Sequence, residues 1–481
     1  MGSTLIFPST VQALQSDRSA IRSQLRDTYN RLHSIFEDSQ FVDEQVAAAY
    51  PDFPVVANQR AGSWYVKPRG ETAHAYFKST DGHAGQHNFN LRRANLGLLP
   101  LIKEKGGLVL VDSTRRGKRF PDALSKTVPL WCAVLNSARM KLLPPSPDNS
   151  SASLEDWLHN GTLKTLPTAV GRSEHSQMEV RVEEWAQALA SSAYDLSALR
   201  ALDRPLRPIF VSPASVLSHN PASSFTAFIP IVCTSASKLA TETDGMERAR
   251  GFTYVQGSGD DHEAWSKGLN AKAFWENSSK ILSASRENID AVIAELLDSS
   301  PPSLARLSLS SSTTATPIRN TRITLEFATT SRPSPFPKTS HVVIEAAKGP
   351  ISPAAPPADP ESTVILAART GKAGYHPFFN ALDPIVEFAT KKLRAGETVG
   401  VEVAQSEAQS EANDLGAAFV LVLLVLIFDN EGQLKSEEAS AELVSKDLIR
   451  SRLQWILEVF PTFNPSRAVL NRTNEYLMSR H

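Results

Sequence analysis

Residues 299–362 constrain the fold of this chain more than any other stretch. Two Ser-, Thr- and Pro-rich runs, SSPPSLARLSLSSSTTATP and GPISPAAPPADPES, bracket the segment, and that composition belongs to linkers rather than to cores. The 481-residue chain is therefore expected to divide into an N-terminal part, 1–298, a connector, 299–362, and a C-terminal part, 363–481. Inside the connector, TRITLEFATT and HVVIEAA alternate apolar and polar residues like two strands, so it is expected to be partly folded. Hydrophobic residues make up 41% of the chain, which excludes a wholly disordered protein and allows a core in each part. Lys and Arg number 50 against 51 Asp and Glu, so a globally basic nucleic-acid coat is excluded while local basic patches are not.

Both parts read as α/β. In the first forty residues Leu14, Ile21, Leu25, Leu32 and Ile35 recur by threes, fours and sevens, as in amphipathic helices. From Phe53 to Asn136, short apolar runs are broken by Gly and Pro in the manner of α/β folds. Residues 144–155 suggest an exposed loop, Val180 to Leu189 a helix, and IFVSP at 209–213 and FTAFIPIVC at 225–233 buried strands. The C-terminal part reads strand (VILAA), helix (PFFNALDPIVEFATKKLR), strand (TVGVEVA), loop, buried helix and further helices. Its most apolar run, Ala417 to Phe428, has 12 residues. A membrane-spanning helix needs ~20, so this run is expected to be a buried core element. Cys132 and Cys233 are too few for a disulfide framework or a multi-cysteine metal site. The N-terminus lacks the pattern of a secretory signal. No disulfides, no membrane and a cytoplasmic location, with the nucleus as an alternative, are the expectations.

Three segments of the N-terminal part are more polar and glycine-rich than a fold requires. Lys78, Ser79, Thr80, Asp81, Gly82 and His83 follow a strand-like AYF: the cation and hydroxyls suit phosphate, the acid Mg²⁺ or a sugar hydroxyl, the imidazole proton transfer. A polar turn is the plainer reading. In the second segment the apolar strand ending at Asp112 enters a loop of Ser113, Thr114, Arg115, Arg116, Gly117 and Lys118. Ligands collect at such carboxyl ends of strands, and the loop suits phosphate oxygens, an RNA backbone or simply solvent. It is not a Walker loop, because Asp112 stands where the first Gly should be and Arg119 where Ser or Thr is required. The third carries Gln256, Gly257, Asp260, Asp261 and His262. Its adjacent carboxylates need relief by a cation or hydrogen bonds; they suit Mg²⁺, a sugar, or the cap of a helix carrying Trp265.

The segments YFKSTDGH, LRRANLGLLPLI, GGLVLVDSTRRGKRFPDALSKTVPLWCAVLN and YVQGSGDDHEAW closely resemble the initiator tRNA phosphoribosyltransferases of fungi and plants, the tRNA adenosine-64 2′-O-ribosyl phosphate transferases. HPFFNALDPIVEF and FPTFNPSRAVLNRTNEYLM resemble the family's C-terminal domain. The resemblance implies an N-terminal α/β catalytic domain and a smaller α/β domain similar to dual-specificity phosphatases. It also implies transfer of a 5-phosphoribosyl group from phosphoribosyl pyrophosphate to a ribose 2′-hydroxyl of initiator methionine tRNA, which keeps that tRNA out of elongation. For that chemistry Lys78, Arg115, Arg116 and Lys118 would meet the pyrophosphate, Asp112, Asp260 and Asp261 an expected Mg²⁺, and Asp81, His83 or His262 the 2′-hydroxyl proton. A phosphatase of this type needs a Cys-x₅-Arg loop, and QSEAQSEANDLGAAF after the strand 398–404 contains neither residue, so cysteine-dependent phosphatase catalysis is excluded. Arg92, Arg93, Lys391, Lys392, Arg394, Arg467 and Arg472, with Arg450 and Arg452, are candidates for tRNA contact. The alternative is a non-catalytic tRNA-binding protein on a degenerate phosphatase fold.

Overall fold

A computed structural model of the chain describes residues 27–59, 61–68, 73, 75–115, 117–146, 148–240, 246–248, 251–299, 316–327, 339–347, 361–404, 409–436 and 444–479. Leu14, Ile21, Leu25 and Arg116 lie outside them. The chain forms two compact units: Met1–Ser191 with Leu196–Ser308, and Leu309–His481 with Ser192–Asp195.

The first unit is built on a parallel four-stranded sheet of order β1-β2-β4-β3, with β1 Val55–Ala57, β2 Leu108–Asp112, β3 Leu206–Val211 and β4 Ile229–Ser235. Every residue of β2 and β4 is buried, which is why both read as continuous apolar runs rather than alternating ones. The run at 225–233 begins as a strand only at Ile229, because Phe225 and Phe228 turn aside and pack on each other, with ring centroids 5.6 Å apart. Helix α1, Thr28–Gln40, is capped by Asp27 and carries Leu32 and Ile35. They join Val109, Val111 and Val232 in one core. α2, Val128–Leu142, packs on β3 and on α3, Arg172–Ala190. A short antiparallel pair, β5 Met246–Arg248 and β6 Thr253–Val255, follows β4.

The second unit is another parallel sheet, of order β7-β10-β8-β9: β7 Ile323–Phe327, β8 Thr339–Ala347, β9 Thr363–Arg369 and β10 Thr398–Val403. Two of these strands, β7 and β8, come from the connector, so the sheet of this unit draws on residues ahead of 363. The single helix expected over 377–394 is two, α4 Lys372–Asn380 and α5 Leu382–Arg394. Pro384 lacks the N–H that would bond to Asn380, and its ring would crowd that carbonyl. The apolar run lies in α6, Gln409–Ile427, which is apolar nearly all round because it packs on β7, β8 and β10 and on α5, α7 (Lys446–Val459) and α8 (Arg467–Met478). By length and composition α6 would pass for a membrane span, yet most of it is buried inside the unit.

Gly416 sets how closely α6 approaches the sheet, since a Cβ there would stand 2.5 Å from Val403 Cγ2. Gly→Ala in a helix ordinarily gains about 1 kcal/mol. Here overpacking, typically ~1–3 kcal/mol, reverses the sign. Gly416→Ala should therefore lower the urea midpoint of this unit, followed by the fluorescence of Trp455; an unchanged or raised midpoint would show that the helix can shift at no cost.

Candidate active site

The carboxyl ends of β2 and β4 lie side by side, and the chain leaves them towards opposite faces of the sheet. After β2 it turns to α2. After β4 it runs to helices whose Phe274, Ile289 and Ile293 share the core of Val109, Val111 and Val232. In an open α/β sheet that divergence opens a crevice at the strand ends. Asp112 ends β2 there, and its carbonyl accepts from the Ala236 amide (2.9 Å).

The three polar segments converge on this crevice. Asn58, just after β1, joins the first two: Nδ2 donates to Asp112 Oδ2 (2.8 Å) and to the Phe77 carbonyl (2.9 Å), and Oδ1 accepts from the Phe77 amide (2.7 Å). Thr127 Oγ1 donates to the Lys78 carbonyl (3.2 Å), and a Cβ on Gly82 would come within 2.9 Å of both Lys126 and Thr127. Gln256 ties in the third segment by donating to the carbonyls of Lys118 (2.8 Å), Arg115 (3.2 Å) and Thr114 (3.3 Å). Gly257, at φ +69°, lies so near the same loop that a Cβ would be 2.6 Å from the Thr114 carbonyl. Ser79 and Thr80 form a 3₁₀ turn with Asp81 and Gly82. Ser113 and Thr114 are buried, and Gly117 and Lys118 are exposed.

Charges in the crevice are paired with one another. Arg115 Nε donates to Asp260 Oδ2 (2.7 Å) and its Nη2 lies 2.6 Å from Asp261 Oδ2, so a side-chain cation supplies the relief that adjacent carboxylates need. Asp261 sits at φ +45° ahead of a 3₁₀ turn, His262–Ala264, and makes no side-chain cap bond. The helix-capping alternative is thereby set aside. Asp122 gathers Lys118 Nζ (2.8 Å), Lys126 Nζ (3.6 Å) and His83 Nε2 (3.7 Å). Lys126 also meets Glu174 Oε1 (2.7 Å), as does His87 (3.0 Å). Both oxygens of Asp81 accept from Arg93 (2.8–3.0 Å). His262 packs its ring 5.9 Å from that of Trp64.

Exposure separates exchangeable cations from fixed ones. The side chains of Arg115 and Lys118 are 58% and 56% exposed, those of Arg93 and Lys126 only 17% and 10%. An exposed ion pair contributes ~0–1 kcal/mol, so a phosphate can displace its carboxylate. Breaking a buried pair costs ~3–5 kcal/mol. Arg115 and Lys118 can thus turn to an anionic ligand, whereas Arg93 and Asp81 are committed to each other. Burial pushes the Asp112 carboxyl up to about 7, against hydrogen bonds from Asn58 and the Ser113 amide, with the charge of Asp260 adding to the rise. Among the described residues no three carboxylate, imidazole or thiolate groups converge as a metal cage.

Several participants carry no motif. α1 presents Asn30, Arg31, Ser34 and Asp38 to β6 and its turn: Asn30 Oδ1 accepts from the Thr253 amide (3.0 Å), Ser34 Oγ from the Val255 amide (2.9 Å), and Arg31 donates to the Ser258 carbonyl (2.7 Å). Asp38 is fully enclosed and accepts from Ser237 Oγ (2.7 Å) and Tyr254 Oη (2.8 Å). Burial pushes its carboxyl up to about 8, against those two bonds. The available signal was position: Asp38 lies three residues after Ile35 and four before Val42, a carboxylate on an apolar stripe.

In the second unit the acidic stretch expected as a loop is helical from Gln409. Its carboxylates serve the unit itself: Glu411 Oε2 accepts from the Gly371 amide (2.5 Å) and Asp414 Oδ2 from the Ser466 amide (2.9 Å). Arg452 is corrected as a tRNA candidate, for it is 1% exposed and stacked 4.1 Å from the Trp455 ring. Lys391, Arg394 and Arg467 are exposed. Lys392 lies 3.4 Å from Glu397, Arg472 2.6 Å from Glu475 and Arg450 2.6 Å from Asp447. Arg92 is half-buried in a 3₁₀ turn. Cys132 and Cys233 are free thiols in the core.

An open parallel sheet with a charged crevice between diverging strand ends defines an α/β protein of the class that binds ligands at strand carboxyl ends. The particular family follows from comparison with known proteins. Residues 21–298 match the Rit1 N-terminal domain and residues 362–477 the Rit1 DUSP-like domain. The chain is 35% identical to the uncharacterized protein C3F10.06c of Schizosaccharomyces pombe over 95% of its own length and 96% of that protein's. It is 38% identical to the tRNA A64-2′-O-ribosylphosphate transferase of Saccharomyces cerevisiae, over 53% of this chain and 51% of that one. No solved structure matches. The chain belongs to the Rit1 family.

Because the folded chain raises Asp38 far above its unfolded value, the neutral carboxyl is the form the fold prefers. The stability it contributes is complete below about pH 4 and is lost as pH rises through about 8. Urea unfolding between about pH 5 and about pH 8.5 should show the parent protein losing stability relative to Asp38→Asn as pH rises. A pH-independent difference would mean that the carboxyl titrates normally.

Proposed function

We propose that this protein transfers a 5-phosphoribosyl group from phosphoribosyl pyrophosphate to the ribose 2′-hydroxyl of adenosine 64 in initiator methionine tRNA. The observation that carries the reading is the crevice itself. At the end of a buried strand closed by Asp112, the exposed Arg115 pairs with Asp260 and Asp261 and the exposed Lys118 with Asp122. The activity that names the Saccharomyces cerevisiae relative, which shares about half of its length with this chain, supports the same reading.

The reaction breaks the bond between the anomeric carbon and the pyrophosphate oxygen, forms a bond from that carbon to the 2′-oxygen, and moves the hydroxyl proton to a base. Arg115 and Lys118 leave their carboxylate partners for the pyrophosphate and neutralise charge as it departs. Lys78 approaches the same anion from the neighbouring turn. The departure of Arg115 releases Asp260 and Asp261, whose negative charge suits an oxocarbenium-like anomeric carbon. His83 is the base best placed to take the proton: it is exposed and its Nε2 is turned to Asp122, whereas Asp81 has both oxygens on Arg93. Asp260 and Asp261 are the carboxylates that would hold Mg²⁺, which would supply charge neutralisation at the leaving group. The second unit would dock tRNA through Lys391, Arg394 and Arg467.

The test is a transfer assay with labelled phosphoribosyl pyrophosphate, Mg²⁺ and unmodified initiator tRNA, with elongator methionine tRNA as control. A labelled adduct confined to the initiator is expected. Arg115→Ala should lower kcat/KM by about a hundredfold or more, the scale of losing one transition-state cation contact, while tRNA affinity changes little. Tight tRNA binding with no adduct, and no thermal stabilisation by the sugar phosphate, would instead identify a non-catalytic RNA-binding protein.

A further inference from the structure

We infer that Asp38, on the N-terminal helix behind the crevice, is a positioning residue that holds the donor-binding loops in register. It touches no ligand position itself. Its two oxygens meet two hydroxyls, Ser237 Oγ at 2.7 Å and Tyr254 Oη at 2.8 Å, and the Lys238 amide adds a third bond. Ser237 passes the constraint forward, since its Oγ lies 2.6 Å from Ser113 Oγ and accepts from the Gly257 amide (3.3 Å). Ser113 is next to Asp112 and opens the loop that carries Arg115 and Lys118. Tyr65 closes the network from the other side: it is hydrogen-bonded to Ser113 and accepts from the Gly259 amide (2.8 Å).

One buried carboxyl group thus links α1, the segment after β1, the loops after β2 and β4, and the turn after β6. The loop after β2 carries the exchangeable cations and the turn after β6 the paired carboxylates. Stability alone does not account for such a group, because burying a carboxyl is unfavourable and an apolar side chain of similar size is often at least as stable. What the polar network adds is a single geometry. Each hydroxyl in it has few alternative partners, so displacing Ser113 or the Gly257 turn breaks several bonds together. The donor's pyrophosphate must meet groups from separate loops at once, and a shift of about 1 Å is enough to weaken such a site strongly.

The inference rests on reading the crevice as the phosphoribosyl-donor site, so two readouts are needed, one of them independent of activity. In the full-length chain, Ser237→Ala removes a single hydroxyl, and Asp38→Ala removes the anchor. In both variants the amides of 113–118 and 256–260 should exchange with solvent at least about tenfold faster, while the amides of β2 keep their protection. The KM for phosphoribosyl pyrophosphate should rise about tenfold, with kcat and the KM for tRNA changing far less. Asp38→Asn, which keeps one acceptor and one donor, should restore most of both. Unchanged loop exchange and unchanged donor KM in Ser237→Ala would overturn the inference and leave Asp38 a buried core group. If the parent protein transfers nothing, the functional reading fails, and the exchange measurement alone still decides whether Asp38 tethers the loops.

Discussion

The site depends on one strand. β2 is paired on both edges and buried on both faces, so its five residues cannot move without disturbing β1, β4 and the cores above and below. The crevice groups hang from the end of that strand: Asp112 by peptide linkage, Asn58 through the Asp112 carboxylate, the loop to Lys118 by continuation, and the Gln256 turn by hydrogen bonds to that loop. A rigid element that ends in a polar loop is the arrangement that lets a sheet lend precision to groups that must stay partly exposed.

The charges around the crevice show how a site for an anion can exist before its ligand arrives. Asp260 and Asp261 would repel each other if left alone, and Arg115 relieves them at little energetic depth, because the pairs are open to water. Lys126 with Glu174 and Arg93 with Asp81 are far less exposed and are held much more firmly. The second unit follows a different course. There the helix after the central strand begins with acidic residues that satisfy the unit's own backbone amides at Gly371 and Ser466. The phosphatase-like fold is kept and the phosphatase site is not, which illustrates how loosely fold and function are bound.

The α/β class and two of the strands in the connector were legible because each rests on local pattern: continuous apolar runs for strands buried on both faces, alternation for β8, and an apolar stretch too short to span a membrane for the core of α6. Local pattern failed where a distant or single-atom effect decided. Pro384 divided a helix whose periodicity is unbroken. The acidic stretch after β10 looks like a loop by composition, yet Glu411 and Asp414 gain partners in the tertiary structure that make a helical start favourable.

At the crevice, the residue types and their three clusters were set by the sequence alone, because cations, hydroxyls, carboxylates and glycines are chemically unambiguous wherever they fall in a fold. Which of them are free to act was decided only by tertiary structure. Asp81 and Arg93 look like separate functional residues in the sequence and are a closed pair in the fold. Asn58, Asp122, Ser237 and Asp38 look ordinary in the sequence and turn out to join the clusters. The physical reason is that ionisation, hydrogen bonding and exchangeability depend on burial and on partners within a few ångströms. Those partners come from distant segments, 227 residues apart for Arg31 and Ser258, brought together by the order in which the parallel strands pair.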